Sequence, residues 1–274
     1  MKIEKAKQLT SRKFKRMTGV SRRTFELMVE LVKASEQNKK KSGRRPKLII
    51  EDQVLMVIQY WREYRTYYHI GLDWGLSESA VCRIVYKIEN ILIKSRKFSL
   101  PGKKELCLMS SEEDLVVMDV MESPIERPQR GQKRFFSGKQ GEHTLKTQVV
   151  IHQKTSQIIC LGHGKGRIHD FRLFKTSGVR FGELLKVIAD KGYQGINKIH
   201  QLSETPIKKT KGGRLMKEQK KYNREINRLR ITIEHVNRRL KIFNILDYRY
   251  RNRHRRFGLR SNLIAGIYNH ELAI

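Results

Sequence analysis

Leu115-Val116-Val117-Met118-Asp119 is a short apolar run that closes on a carboxylate. Leu185-Lys186-Val187-Ile188-Ala189-Asp190 repeats that arrangement. Runs of this length and composition read as strands, and the end of a strand fixes a backbone while its side chain projects into the crevice beyond the sheet. A single Asp after a strand more often just begins a turn. Two acids on neighbouring strands would repel each other unless a cation stood between them.

The surrounding pattern supports a sheet. Thr144 to His152 and Ser156 to Gly162 read as two further strands, with Thr155-Ser156 as the turn between them. Helical segments are expected around Phe171 to Thr176, from Asn197 to Ser203, and along a stretch from about Met216 to Ile242. Strands that then alternate with helices indicate an α/β domain with a mixed sheet, spanning about 110–270.

On the last of those helices, Ile226, Leu229, Ile233, Val236 and Leu240 recur at spacings of three and four and form one apolar stripe. One position further on, Asn227, Arg230, Glu234, Asn237 and Lys241 form a wholly polar stripe about 100° round the helix. By itself that second stripe is an ordinary surface ladder, worth about 0.3 to 0.5 kcal/mol per pair. Beside Asp119 and Asp190, Glu234 becomes the third acid of a site. Hard oxygen donors suit Mg²⁺ or Mn²⁺ rather than zinc. Two such ions on three carboxylates could serve an in-line attack at phosphorus, with Arg230 and Lys241 meeting phosphate oxygens.

Upstream, residues 1–105 read as a helical region. Val54, Leu55, Val57 and Ile58 begin a helix that leads to Tyr60 and Trp61; Thr66 to Trp74 forms a second, and Gly75-Leu76 a tight turn. Ser77 caps a third helix running from Glu78 to about Ile93. That is a helix-turn-helix over about 53–93. The third helix buries Val81, Ile84 or Val85, Ile88 and Leu92, leaving Ser79, Arg83 and Lys87 on a face that could reach a major groove. Before it, a helix covers Phe25 to Val32, and the basic run from Asn38 to Lys47 is a connector or a minor-groove arm.

Composition narrows the partners. The 274 residues carry 59 Lys and Arg against 27 Asp and Glu, a net charge of +32, which favours a polyanion. Between Lys208 and Arg260 stand 19 basic residues and four acidic ones, so Glu234 lies in a strongly positive field. No run approaches the roughly 20 apolar residues of a spanning helix, so a membrane partner is not expected. Cys82, Cys107 and Cys160 are widely spaced, which fits a reducing compartment; the expected setting is cytoplasmic, on nucleoid DNA.

These residues resemble a known family, the insertion-sequence transposases of the DDE superfamily, of the helix-turn-helix plus endonuclease type related to Harbinger-like proteins. The resemblance spans nearly the whole chain. Its marks are the run from Ile70 to Val81, Met118-Asp119, Pro124-Ile125-Glu126-Arg127-Pro128, Phe135-Phe136-Ser137-Gly138-Lys139 and His143-Thr144-Leu145-Lys146. Gly166-Arg167-Ile168-His169-Asp170 and the run from Ala189 to Gly195 complete it. It implies a ribonuclease H-like fold and an acidic triad at Asp119, Asp190 and Glu234. A Tyr, Arg, Glu, Lys signature of related transposases falls on Asn227, Arg230, Glu234 and Lys241, with Asn in place of Tyr. Asp170 belongs by the resemblance to a separate His-Asp motif.

The expected activity is metal-dependent cleavage and strand transfer at the ends of an insertion sequence, with Mg²⁺ (or Mn²⁺), two ions, as cofactor. The substrates are double-stranded DNA, both element ends and target, and joining two ends implies a homodimer or larger synaptic assembly. The loop from Glu122 to His143, with Arg134 and Lys139 among its basic residues and Phe135-Phe136 between them, has the mix of a DNA contact. The competing reading is a non-catalytic, transposase-derived regulator that uses only the helix-turn-helix.

Overall fold

A computed structural model describes residues 2–38, 43, 45–109, 111, 113–210, 212–252 and 254–274. Most of the basic run before Pro46, including Arg44 of the expected minor-groove arm, lies outside the described residues. The chain forms two compact units. One comprises 1–99, 240–248 and 256–274, and the other 100–239 and 249–255.

The first unit is all helical. Its opening helices are α1 (Ile3–Lys7), α2 (Ser11–Thr18) and α3 (Arg22–Gln37). Thr10 and Gly19 bound α2 as N-cap and left-handed C-cap. Then come α4 (Ile50–Glu63), α5 (Tyr67–Trp74) and α6 (Glu78–Lys94). The expected cap Ser77 is present, its Oγ accepting from the Ala80 amide, and Thr66 likewise caps α5, its Oγ1 accepting from the His69 amide. Gly75 takes the left-handed conformation that ends α5, and a Cβ at Gly71 would meet the Leu76 carbonyl at 2.5 Å. On α6 the buried face is Val81, Val85, Ile88 and Leu92; Ile84 is only half-buried.

In the second unit α7 (Glu105–Leu108) precedes β1 (Leu115–Pro124), β2 (Phe136–Ser137), β3 (Glu142–His152) and β4 (Ile158–Lys165). They are followed by α8 (Asp170–Ser177), β5 (Lys186–Ala189), β6 (Ser203–Glu204) and α9 (Lys217–Lys241). The main sheet runs β4-β3-β1-β5-β6, with β4, β3 and β1 antiparallel and β5 and β6 added parallel to β1. This mixed α/β arrangement is ribonuclease H-like. One face of β1 and β5 buries Val116, Met118, Val187 and Ala189 in a core with Val150, Phe174 and Tyr193.

Two expectations are corrected by the structure. Asp119 is not at the end of a strand: β1 continues to Pro124, paired with β3 throughout. What ends beside Asp119 is the parallel pairing, whose last partners are Met118 and Ala189. The segment Asn197 to Ser203 is not a helix, but a single 3₁₀ turn over Ile196–Lys198 followed by β6, whose Ser203 pairs with Val187.

At the C-terminus, α10 (Asn244–Asp247) and α11 (Phe257–Leu272) belong to the helical unit. Glu89, fully buried on α6, demands this. Its carboxylate accepts from Arg260 Nε and Arg256 Nε, each at 2.7 Å, and from Trp61 Nε1 at 3.1 Å. A buried anion without cations would be ionised at heavy cost. At Gly266 the α11 backbone comes so close to Phe98 that an added Cβ would sit 1.9 Å from its carbonyl oxygen. Replacing Arg260 by Ala should therefore destabilise the helical unit by roughly 1.5 to 3 kcal/mol in urea unfolding, since Glu89 loses one charge-assisted hydrogen bond but keeps Arg256. A loss below about 1 kcal/mol would show that Glu89 does not depend on α11.

Candidate active site

Asp119 and Asp190 each stand one residue beyond the final β1–β5 register pair, so they face each other across one strand spacing, about 4.8 Å. Alternation puts them on the face opposite the Val116–Met118 core. Helix α9 passes over this face. Its polar stripe contributes Arg230, Glu234 and Asn237, at spacings of four and three, while Ile226, Ile233 and Val236 are buried.

The guanidinium of Arg230 takes the middle of this arrangement. It lies 3.5 Å from Asp119 Oδ1, 3.2 Å from Asp190 Oδ1 and 3.7 Å from Glu234 Oε1. Arg230 and Asp119 are largely buried, Asp190 is about one-third exposed, and Glu234 is open to solvent. One guanidinium does not fully offset the burial of Asp119 beside two further acids. Burial, with repulsion from Asp190 and Glu234 added to it, pushes the Asp119 carboxyl up to about 6 against the pull of Arg230.

Asn237 completes the cluster, donating from Nδ2 to Asp119 Oδ2 at 3.1 Å. Two buried atoms here have no hydrogen-bond partner among the described residues: Arg230 Nε and Asn237 Oδ1. The donor set is therefore hard oxygen with a surplus of buried negative charge, which fits a divalent cation. Among the described residues no three acidic, His or Cys side chains form a ready metal cage, consistent with a guanidinium taking the centre.

A second polar cluster occupies the other face of the sheet. Lys146, buried on β3, is 2.8 Å from Asp170 Oδ1 and 3.6 Å from Glu122 Oε1, and Thr144 donates to Glu122 at 2.7 Å. Asp170 thus serves as the counter-ion of a buried lysine. It also abuts the turn that follows Asp190: a Cβ on Gly192 would fall 2.6 Å from Asp170 Oδ2. Lys146 and Asn237 are the members that residue patterns alone did not single out as site residues. The cross-strand pairing of Glu122 with Lys146 is visible only once the register is known.

The remaining expected residues are separate from the triad. Lys241 pairs with Asp247 at 3.1 Å, and Asn227 is exposed. Lys139 is exposed in the turn between β2 and β3, and Arg134 lines a cleft of about 790 Å³ with Arg130, Phe135, Lys165 and His254. Phe135 stacks on His254 with ring centres 5.6 Å apart, and Lys165 lies over the same ring. In that cleft burial holds the His163 imidazole down at about 4, so the positive charge comes from the arginines and lysine. On α6, Ser79 and Arg83 are exposed, whereas Lys87 bonds Gln53 Oε1 at 2.6 Å and lies 3.4 Å from Glu36.

Comparison with known proteins agrees with this geometry. Residues 118–269 match the family model of the DDE superfamily endonucleases, and residues 46–98 match the helix-turn-helix of DDE superfamily endonucleases. A relative from Microchaete diplosiphon, described as a probable transposase for insertion sequence element IS702, is 85% identical over 274 residues, covering 100% of this chain and 99% of that one. A second, from Streptomyces albus G and described as a transposase for insertion sequence element IS112, is 25% identical, covering 84% and 83% of the two chains. The crystal structure of the Mos1 mariner paired end complex with Mn aligns over 80% of this chain and 86% of that one, at 13% identity and a TM-score of 0.18, too weak a likeness to bear on the site. The chain belongs to the DDE superfamily of endonucleases and, within it, to the insertion-sequence transposases. It is thus a nuclease-type enzyme that acts on DNA, and no helix among its described residues is long and apolar enough to cross a membrane.

The raised Asp119 carboxyl makes a prediction about the metal-free protein. Because folding favours its protonated form, stability should fall as pH rises from about 4 to about 6 and stay lower above that. Asp119→Asn removes the penalty. In urea unfolding with chelator present, the variant should exceed the parent by on the order of 3 kcal/mol at pH 8, and the gap should close near pH 4. A gap that does not change with pH would contradict the burial of an uncompensated charge.

Proposed function

We propose that Asp119, Asp190 and Glu234 form the catalytic site for cutting and joining the ends of this chain's own insertion sequence, using Mg²⁺ or Mn²⁺, with two ions favoured. The observation that carries this is the convergence of three acids from β1, the β5 terminus and α9 on one guanidinium, within 3.2 to 3.7 Å. A bound divalent cation supplies charge neutralisation and activation of an attacking oxygen at phosphorus. The protein's own groups do the rest. The sheet fixes Asp119 and Asp190 side by side, and exposed Glu234 is free to turn towards them from the helix. Arg230, displaced from the carboxylates, meets a phosphate oxygen of the DNA strand as a fork of donors.

Double-stranded DNA, both element ends and target, binds through sites suited to a polyanion. Ser79 and Arg83, exposed at the start of α6, are suited to the major groove; Lys87 contributes less, since it is already held by Gln53 and Glu36. Arg134, beside Phe135, and Lys139 contact the DNA backbone, and Lys241 does so when released from Asp247. The catalytic domain spans about 110–270 in sequence and the DNA-binding region about 1–105. Joining two ends implies a homodimer or larger assembly, on DNA in the cytoplasm.

The test is cleavage and strand transfer of labelled element ends by purified protein with Mg²⁺. Asp119→Asn, Asp190→Asn and Glu234→Gln should each lower the rate at least a hundredfold while end binding changes less than threefold, because acids removed from the chemistry do not weaken groove contacts. Arg83→Ala should do the converse, weakening binding tenfold or more, about 1.4 kcal/mol. Wild-type rates in any of the three acid variants would remove that residue from the site.

A further inference from the structure

Asn237 carries the least satisfied oxygen of the site. It stands three residues after Glu234 and seven after Arg230, on the same face of α9. Only 9% of it is exposed, whereas the Glu234 side chain is 62% exposed. Its amide has two ends with different demands. Nδ2 donates to Asp119 Oδ2 at 3.1 Å, and this orientation is chemically determined: turned over, Oδ1 would confront a carboxylate oxygen, acceptor against acceptor. Oδ1 is therefore directed elsewhere, is buried, and accepts no hydrogen bond among the described residues. Leaving such a group unmatched costs about 1 to 3 kcal/mol, and buried polar atoms in native proteins rarely remain so.

We propose that Asn237 is a fourth oxygen of the divalent-cation site, its Nδ2 anchoring Asp119 while its Oδ1 faces the cation or a water bound to it. The inference rests on the assignment of Asp119, Asp190 and Glu234 to that site. The chemistry is apt, since amide oxygens are ordinary ligands of hard cations and hydrogen-bond acceptors for the waters such cations retain. The arrangement also divides the work along the helix. Glu234 is exposed and mobile enough to be recruited, while Asn237 is already packed against the first acid.

The two ends of the amide can be separated experimentally. Mn²⁺ titrations of the full chain, followed by electron paramagnetic resonance, would compare the parent with Asn237→Ala, Asn237→Asp and Asp119→Asn. Ala removes donor and oxygen together, and Mn²⁺ should bind 10- to 100-fold more weakly. Asp removes the donor but keeps an oxygen, so it should bind Mn²⁺ at least as tightly as the parent. If Asn237 only positions Asp119, Asp will weaken binding as Ala does, and the proposal fails. Parent-like affinity in both variants also overturns it, provided Asp119→Asn has lost binding. Should Asp119→Asn bind Mn²⁺ like the parent, the three-acid assignment itself falls, and this inference with it. Where Asn237→Ala does not fold, as judged by circular dichroism, the Asp variant decides alone: parent-like or tighter binding supports the proposal, and weaker binding overturns it.

Discussion

A single guanidinium within 3.2 to 3.7 Å of three carboxylates is the constraint around which the catalytic unit is organised. Each acid comes from a different element, and without a cation among them their mutual repulsion would oppose the packing of α9 over β1 and β5. Arg230 provides that cation within the chain itself. The compensation is incomplete, since burial and neighbouring acids still push the Asp119 carboxyl up to about 6. A site that is folded but short of positive charge is ready to receive more of it. In the proposed cycle a divalent cation takes over the neutralising role, and the freed guanidinium turns to phosphate.

Two other buried acidic groups are also matched by cations. Glu89 in the helical unit is matched by Arg256 and Arg260, and the Glu122 and Asp170 pair by Lys146. In a chain with 59 basic residues and only 27 acidic ones, partners are plentiful and unpaired acids stand out. The glycines of the motif regions serve these contacts by removing bulk. Gly192 leaves room for Asp170 below the turn after Asp190, and Gly166 lies where a Cβ would meet Thr144 Oγ1 at 2.2 Å.

Much of this was legible in the residues, because the relevant periods are short. Apolar runs marked β1, β3 and β5, and the offset of one residue between two stripes separated the buried face of α9 from the one bearing Arg230, Glu234 and Asn237. The cap Ser77 and the turn at Gly75-Leu76 located the helix-turn-helix nearly to the residue. Signals failed where tertiary contact, rather than local pattern, decides. Helix α11 buries Phe257, Arg260, Leu263, Ile264, Ala265 and Ile267, residues that lie on several of its sides and leave no amphipathic stripe to detect. Asn197 to Ser203 has helical composition, but Ser203 is captured by pairing with Val187. Asp119 read as a strand end because the apolar run stops there, whereas the antiparallel partner β3 carries β1 on to Pro124. Asn237 was visible as a stripe member, but only its bond to Asp119 gives it a part in the site.

Positive charge at Arg230 holds the three acids together, and a bound divalent cation would take its place. Urea unfolding of Arg230→Met at pH 7.5 tests this most directly, once with chelator and once with millimolar Mn²⁺. With chelator the variant should lose roughly 3 kcal/mol, as expected when a buried acid loses the guanidinium that pairs with it. With Mn²⁺ most of that loss should return, because an ion that binds only the folded site stabilises it by mass action. A variant as stable as the parent in chelator would contradict the account.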